Sequence, residues 1–268
     1  MPPLTPFPDL NGVLRRLTAD TQWVLGPELV GLYLTGSFAL GDADGGSDVD
    51  FLAVVRSPLT PGQIEAVQAM HQAIFELPSP WAQHLEGSYI SAALLKGADP
   101  TSTPIPYLDN GSREVVYSDH DNSLVVRWVT REHGVALFGP PARELIEWVS
   151  PDALRAEIRT TLHTWGAALL ADPAGLDNGW RQPHVVTSVA RMLHSLDTGR
   201  IHSKKLSVQW ACEHLEPRWT PLLERAWAKH PQQFLRYDER ADADDLKQTL
   251  AFIRFALEHE PPSRLGQT

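Results

Sequence analysis

The sequence of 268 residues contains very little cysteine and no long apolar run. Cys212 is the single cysteine, which excludes internal disulfides and thiolate metal clusters and is typical of a reducing cytoplasm. No segment approaches the roughly 18 consecutive apolar residues that a membrane-spanning helix needs. The opening MPPLTPFPDL has no basic region followed by an apolar stretch, so no secretory signal is expected. We therefore expect a cytoplasmic globular protein that does not associate with membranes.

Basic residues are also scarce. The 23 Lys and Arg are outnumbered by 33 Asp and Glu, and the formal net charge is −10. A general binder of the phosphate backbone needs a basic surface, so nucleic acid is not an expected partner. The acidity has two interpretations, which are simple solubility, the usual one, and a site for a cationic substrate.

The first half of the chain alternates between strand and helix patterns. VGLYLT (30–35) and VDFLAVV (49–55) are β-rich runs, and HLEGSYISAALL (84–95) begins with the same alternation. PGQIEAVQAMHQAIFEL (61–77) opens with proline and has helical apolar spacing, and NSLVVRWVTREHG (122–134) predicts a helix that stops at glycine. This order of elements predicts a mixed sheet with helices.

The second half contains only helical patterns, separated by prolines. Amphipathic stretches occur at about 152–171, 183–199, 203–215, 218–230 and 242–258. We therefore predict an α+β protein, in which a mixed-sheet domain (1–150) precedes an all-α helical bundle domain (151–268), with the boundary near Pro151. The segment 96–112, rich in Pro, Gly, Ser and Asp, is predicted to be a loop.

The stretch LYLTGSFALGDADGGSDVDFLAVV carries the most chemical information. Asp48 and Asp50 are two residues apart on a predicted strand, so both carboxylates project from one face. Carboxylates this close repel each other unless a cation lies between them, and oxygen ligands favour Mg²⁺ bound to substrate phosphates. Gly36 lets the backbone approach a phosphate, and the hydroxyls of Ser37 and Ser47 can donate to its oxygens. Asp-x-Asp alone is more typical of a surface loop, but the whole pattern favours a site.

The pattern Gly-Ser, nine residues, Ser-Asp-Val-Asp resembles the nucleotidyltransferase superfamily, whose fold is polymerase-β-like. The resemblance implies that Mg²⁺ and a nucleoside triphosphate bind a mixed sheet, with Asp48 and Asp50 holding the metal. It further implies that Gly36, Ser37 and Ser47 bind the triphosphate. A third carboxylate on a neighbouring strand is then expected to activate the acceptor hydroxyl.

The candidate for this third acid is Glu86 in QHLEGSYIS, on the predicted strand that follows the first-domain helix at 61–77. A carboxylate there can accept a proton from the substrate hydroxyl or complete the metal shell. We therefore place Glu86 among the catalytic, substrate-binding and metal-binding residues. Glu76 is the alternative, although its position at a helix end is more typical of a solvated charge.

A closer resemblance covers the second half. HVVTSVARMLHSLDTGRIHSKKLSVQW (184–210), with LFGPP before it and EPRWTPLLERA after it, is similar to the helical domain of aminoglycoside 3''/9-adenylyltransferases. The resemblance implies that ATP and an aminoglycoside bind in a cleft between the two domains. It also implies that Arg191 and Lys204 contact the ATP triphosphate. Composition alone favours a structural ion pair for Arg191 and a solvated charge for Lys204.

Acceptor recognition is less well marked. An aminoglycoside presents ammonium or guanidinium groups, which carboxylates and aromatic rings bind. Asp177 and His184 occupy the positions where the family has drug-contacting residues, although a turn or cap role for Asp177 and a structural role for His184 are equally compatible with the sequence. The chain has Asp172 where the family has a streptomycin-binding Trp, and His230 where it has a nucleotide-contacting Tyr.

The resulting hypothesis is an Mg²⁺-dependent, monomeric enzyme that transfers AMP from ATP to a hydroxyl of streptomycin or spectinomycin. It would release pyrophosphate and confer antibiotic resistance. Two alternatives stay open at this point. The first is nucleotidyl transfer to another acceptor, such as a protein side chain or a small metabolite, and the second is a non-catalytic nucleotide-binding module.

Overall fold

The computed structural model describes residues 4–96, 103–230 and 238–258. These residues form two compact units. The first unit spans Met1–Ala43 and Ser47–Val149, and the second spans Asp44–Gly46 and Ser150–Thr268, in each case within the described residues. The main division, between Val149 and Ser150, lies beside the boundary that the sequence predicts near Pro151.

The first unit is built on a mixed sheet. Its strands are β1 (Leu29–Leu34), β2 (Val49–Val55), β3 (Leu85–Ser91), β4 (Ile105–Leu108), β5 (Val115–Ser118) and β6 (Val135–Phe138). The order across the sheet is β5-β4-β3-β2-β1-β6. β2 and β3 are parallel, and the other neighbouring pairs are antiparallel. The α3 helix supplies the crossover between the two parallel strands, as such a connection requires.

Helices cover both faces of this sheet. They are α1 (Pro8–Leu25), α2 (Gly36–Ala39), α3 (Pro61–Phe75), α4 (Ala92–Leu95) and α5 (Leu124–His133). A capping box between Thr60 and Gln63 fixes the start of α3. In β2, Val49, Phe51 and alternate residues after them enter the larger core with α1 and α3. The intervening positions, which begin at Asp50, share the opposite face with the smaller core.

The second unit consists of helices in its described residues. They are α6 (Pro151–Ala171), α7 (Arg181–Thr198), α8 (Lys204–His214), α9 (Thr220–Lys229) and α10 (Ala243–Glu258). α7 contacts each of the other four, and Val185, Val186, Val189 and Leu193 on it are fully buried. Across the described parts of both units, no helix combines the length and apolar character needed to cross a bilayer.

The structure contains α1, α2, β5 and β6, which were not predicted from the sequence, and it contradicts one predicted segment. The predicted loop at 96–112 is wrong for Ile105–Leu108, which form β4, while 97–102 lie outside the described residues. Pro106 explains why a strand was not expected, because proline removes a donor from the ladder. Pro106 pairs with Tyr117 of β5, but on the β3 side only Leu108 and Tyr107 are paired, so the ladder to β3 needs no donor at position 106.

Candidate active site

Two neighbouring parallel strands carry the candidate carboxylates. The register of β2 and β3 places Asp50 directly beside Glu86. Asp48 lies two residues before Asp50, just outside β2, at the same end of the sheet. The predicted third acid is therefore next to the aspartate pair. The alternative acid, Glu76, is instead exposed and forms an ion pair with Arg113 at 2.8 Å.

Glu86 lies in a strongly negative environment. Its side chain is only 15% exposed. Burial raises its pKa most, and the charge of Asp50 raises it next. A hydrogen bond from Tyr107 opposes these effects, while the charges of Asp48 and Asp121 add to them, so that the pKa of Glu86 is about 8. Such a group of carboxylates becomes fully ionised near neutral pH only when a cation binds beside it.

Gly36 brings the first half of the sequence motif against the second. The N–H of Thr35 donates to the carbonyl of Asp50 at 2.8 Å, so the backbone between β1 and α2 lies beside β2. Gly36 has a φ of +58°, and a Cβ on it would lie 1.9 Å from Asp50 Oδ2. Ser37 follows in α2, and Ser47 directly precedes the first aspartate. The Gly-Ser and Ser-Asp-Val-Asp segments therefore converge on the Asp50 carboxylate.

A tyrosine on β4 contacts the third acid. The Tyr107 hydroxyl lies 2.7 Å from Glu86 Oε1 and 2.9 Å from Asp109 Oδ1. The exposed His120 ring packs on Tyr107, with its Nε2 3.5 Å from the same Glu86 oxygen. Burial and the contacts with Glu86 and Asp109 raise the pKa of Tyr107, so this phenol is a neutral hydrogen-bond donor.

An asparagine in the turn after β4 contacts the first aspartate. The Nδ2 of Asn110 donates to Asp48 Oδ1. The Oδ1 of Asn110 lies 3.2 Å from His84 Nδ1, and its own N–H donates to Asp109 Oδ1. Asn110 was not predicted as a site residue, although the Asp-Asn-Gly triplet at 109–111 after an apolar run indicates a turn at this point.

The donor set fits a metal that a substrate helps to bind. In the ranges 4–96, 103–230 and 238–258, no three His, Cys, Asp or Glu side chains form a complete metal-binding cluster. Mg²⁺ in phosphate-transfer sites commonly takes one or two carboxylates and completes its shell with phosphate oxygens and water. Asp48 and Asp50 can supply these two carboxylates, and the charge of Asp50 is one of the causes that raise the pKa of nearby Glu86.

The helical unit gathers positive side chains around a histidine of α7. His184 is half-buried, and burial lowers its pKa well below the ordinary value. The positive charges of Lys204, Arg191, His230 and Arg181 lower it further, in that order. Arg191 lies seven residues after His184 on α7 and therefore on the same side of the helix. Lys204 is the first residue of α8. Of the predicted residues of the second half, His184, Arg191 and Lys204 thus share one positive environment.

The other predicted acceptor residue has a structural partner. Both oxygens of the half-buried Asp177 are engaged, one by Arg240 at 2.8 Å and the other by the N–H of Ala241 at 3.2 Å. Trp180, close to the position where a drug-binding tryptophan was expected, stacks on His184 with ring centroids 5.2 Å apart. Trp227 stacks in turn on His230, so Trp180 and Trp227 both contact the positive cluster, whereas position 172 holds an aspartate.

Two known domain families match the chain, one in its first half and one in its second half. The nucleotidyltransferase domain matches residues 22–81, and the C-terminal domain of aminoglycoside adenylyltransferases matches residues 144–258. The chain is similar to aminoglycoside 3''/9-adenylyltransferases in both of its domains. The predicted family, the predicted α+β fold class and the prediction of an enzyme are confirmed.

Relatives of this adenylyltransferase are similar over most of their length. The aminoglycoside (3'') (9) adenylyltransferase of Klebsiella pneumoniae is 26% identical over 256 residues, which cover 86% of this chain and 88% of the relative. The enzyme of the same name from Escherichia coli is 28% identical over 243 residues, or 81% and 84% of the two chains. Spectinomycin 9-adenylyltransferase of Staphylococcus aureus is 25% identical over 240 residues, or 81% and 85%.

A solved structure has the same fold as this adenylyltransferase. It is the crystal structure of spectinomycin adenyltransferase from Enterococcus faecialis with ATP and spectinomycin. The TM-score is 0.70 at 15% sequence identity, and the match covers 92% of this chain and 99% of the other. The likeness confirms a nucleotidyltransferase fold followed by a helical domain.

Proposed function

We propose that this adenylyltransferase transfers AMP from ATP to a hydroxyl of streptomycin, spectinomycin or both, and so confers resistance to them. The observation that carries the proposal is the placement of Glu86 beside Asp50 on parallel strands, with Gly36 against the same aspartate. The names of the similar enzymes, and the structural neighbour with ATP and spectinomycin, support this choice of donor and acceptor.

Asp48 and Asp50 would hold Mg²⁺, and Glu86, which lies beside Asp50, would join its shell only once the metal and the triphosphate are bound. When bound, the metal would neutralise the triphosphate and polarise the phosphoryl group that is transferred. The Gly36 backbone and the hydroxyls of Ser37 and Ser47 would bind phosphate oxygens, because a glycine without Cβ lets these atoms approach.

Glu86 acts as the general base in this proposal. It accepts the proton of the acceptor hydroxyl while that oxygen forms a bond to the α-phosphorus of ATP. The bond from the α-phosphorus to the pyrophosphate oxygen breaks, and pyrophosphate leaves. The high proton affinity of Glu86, which burial and Asp50 produce, favours this proton transfer.

Side chains of the helical unit would bind the charged parts of both substrates. Arg191 and Lys204 would neutralise the phosphates of ATP, and their combined effect on His184 supports an anion-binding role. His184 and Asp177 would contact the acceptor. Because Arg240 already pairs with Asp177, an ammonium group of the drug would have to share or replace this partner.

The test of the base is Glu86→Gln, which removes the proton acceptor and keeps the shape of the side chain. We expect AMP transfer to fall by at least about 100-fold, since a positioned general base contributes 10²–10⁴-fold. ATP binding, measured by calorimetry, should stay within a few-fold of the original protein. Transfer at an undiminished rate would rule out Glu86 as the base.

The acceptor is tested with purified protein, Mg²⁺, ATP and a panel of aminoglycosides, with pyrophosphate release as the readout. We expect release with streptomycin or spectinomycin. Release with other aminoglycosides alone would keep the reaction and overturn the proposed specificity. Release only with a protein or metabolite acceptor would favour the first alternative, and ATP binding without release would favour a nucleotide-binding module.

We further propose that the enzyme works in the cytoplasm as a monomer and does not bind nucleic acid. Cys212 as the single cysteine and the net charge of −10 support this setting. Light scattering after size-exclusion chromatography should give a mass near 29.8 kDa. A mass of twice this value would overturn the monomer.

A further inference from the structure

Two side chains from one short segment contact two of the three carboxylates. Tyr107, on β4, bonds to Glu86, and Asn110, in the turn after β4, bonds to Asp48. Neither residue belongs to the sequence motif, and neither has a role in the proposed function. Both lie on the segment 96–112, which is predicted from the sequence to be a loop.

The amide of Asn110 is held in one orientation. Its oxygen faces His84 Nδ1 at 3.2 Å, so the NH₂ group is directed to Asp48. The turn itself is fixed because the Asn110 N–H donates to Asp109 at 3.0 Å and Gly111 adopts a φ of +74°. An amide NH₂ that points at one carboxylate oxygen determines the direction of the other oxygen.

Tyr107 holds Glu86 from a buried and rigid position. The side chain is 6% exposed, and its residue pairs with Ser88 in the adjacent strand β3. The phenol lies between Glu86 Oε1 and Asp109 Oδ1, at 2.7 and 2.9 Å. Because the ring is buried and its hydroxyl contacts two carboxylates, Tyr107 holds the Glu86 carboxylate in one orientation.

We propose that Tyr107 and Asn110 are positioning residues, which orient the carboxylates of Glu86 and Asp48 for the acceptor hydroxyl and the metal. This inference rests on the proposed function for the roles of these two carboxylates. Side chains that hydrogen-bond metal-binding carboxylates commonly contribute 10–100-fold to metal affinity or activity. Asn110 should therefore act mainly on metal affinity, and Tyr107 mainly on the rate of transfer.

The first test measures metal binding without turnover. Mn²⁺ is titrated against the protein in the presence of a non-hydrolysable ATP analogue and followed by electron paramagnetic resonance. Asn110→Ala should weaken Mn²⁺ binding by about 10-fold or more. If this variant fails to fold, Asn110→Ser carries the same expectation, because its shorter side chain does not reach Asp48. Unchanged Mn²⁺ affinity in a folded variant would overturn the role of Asn110.

The second test separates kcat from KM. Tyr107→Phe should lower kcat by about 10-fold and leave the KM for ATP unchanged, because the ring stays and only the hydroxyl is lost. Tyr117→Phe is the matched control, since Tyr117 lies on the next strand and is 61% exposed. Equal kcat in the two variants would overturn the role of Tyr107. If the original protein binds Mn²⁺ but transfers AMP to no acceptor, the proposed function fails, and the Mn²⁺ titration still decides the role of Asn110.

Discussion

At the scale of single residues, the site depends on the absence of a side chain at position 36. Gly36 combines a left-handed φ of +58° with a Cβ position 1.9 Å from Asp50 Oδ2. Gly41 has a similar φ of +73°, yet a Cβ there would meet no atom within 4 Å. The two glycines therefore share the backbone requirement and differ in the collision with the carboxylate.

This difference predicts distinct effects of the same substitution. Gly36→Ala should lower AMP transfer by at least about 100-fold and lower the free energy of unfolding by more than the roughly 1–2 kcal/mol that a left-handed alanine costs. Gly41→Ala should show only this conformational cost and keep its activity. Steady-state kinetics and urea unfolding measure both effects. Equal activity of the two variants would show that contact with Asp50 does not require glycine.

The residue scale also shows how far the sequence could predict the site. Asp48, Asp50 and Glu86 were predicted because a two-residue strand period and the order of elements bring them together. Asn110 is 62 residues from its partner Asp48, and no local pattern encodes that contact. The motif therefore predicts the carboxylates, and the fold is needed to find the groups that orient them.

At the scale of elements, α3 is attached to the sheet through a buried histidine. His71 on α3 is 2% exposed and stacks on Phe51 of β2. Its Nε2 lies 2.7 Å from the Tyr89 hydroxyl of β3. Burial lowers the pKa of His71 to about 3. The crossover between the two catalytic strands is therefore held by an imidazole that must stay neutral.

This contact predicts a loss of stability in acid. The unfolded chain binds a proton at His71 near pH 6.5 and the folded chain only near pH 3, so stability falls as the pH drops between these values. The contribution of this residue approaches about 1.4 kcal/mol per pH unit. His71→Gln should be less stable at neutral pH and should lose less stability between pH 6.5 and 4. Parallel pH profiles of urea unfolding in the two proteins would contradict this role.

The elements also differ in how strongly the sequence marks them. The 49–55 strand was predicted with the bounds of β2, because an uninterrupted apolar run follows the aspartates. The long helices α6 to α10 were found from their apolar spacing. β4 was missed, since the breaker residues around it dominate the local pattern and its pairing with β3 spans only two residue pairs.

At the scale of the whole molecule, the charges that make up the net charge of −10 are unevenly distributed. Acidic side chains surround Glu86 in the first unit, where Asp50, Asp48 and Asp121 raise its pKa. In the second unit, positive side chains surround His184 and lower its pKa. Each unit therefore has a local charge that a substrate group of opposite sign would stabilise, which is a cation in the first and an anion in the second.

The charge on the first unit predicts how metal changes the stability of the protein. Without metal, the folded-state pKa of Glu86 is about 8 against an ordinary value of 4.5. Its contribution is fully present below pH 4.5 and is lost as the pH rises to 8, at up to about 1.4 kcal/mol per pH unit. Mg²⁺ with ATP binds the ionised carboxylates and should oppose this loss most at pH 8.

Urea unfolding at pH 5, 6.5 and 8, with and without Mg²⁺ and ATP, measures this effect, and Glu86→Gln isolates it because the amide does not titrate. The variant should lose less stability than the original protein between pH 5 and 8 in the absence of metal. It should also gain less from Mg²⁺ and ATP at pH 8, because one of the carboxylates that the cation compensates is gone. If both proteins show the same pH dependence and the same gain, Glu86 does not couple proton binding to metal binding, and Asp48 and Asp50 alone must account for the metal effect.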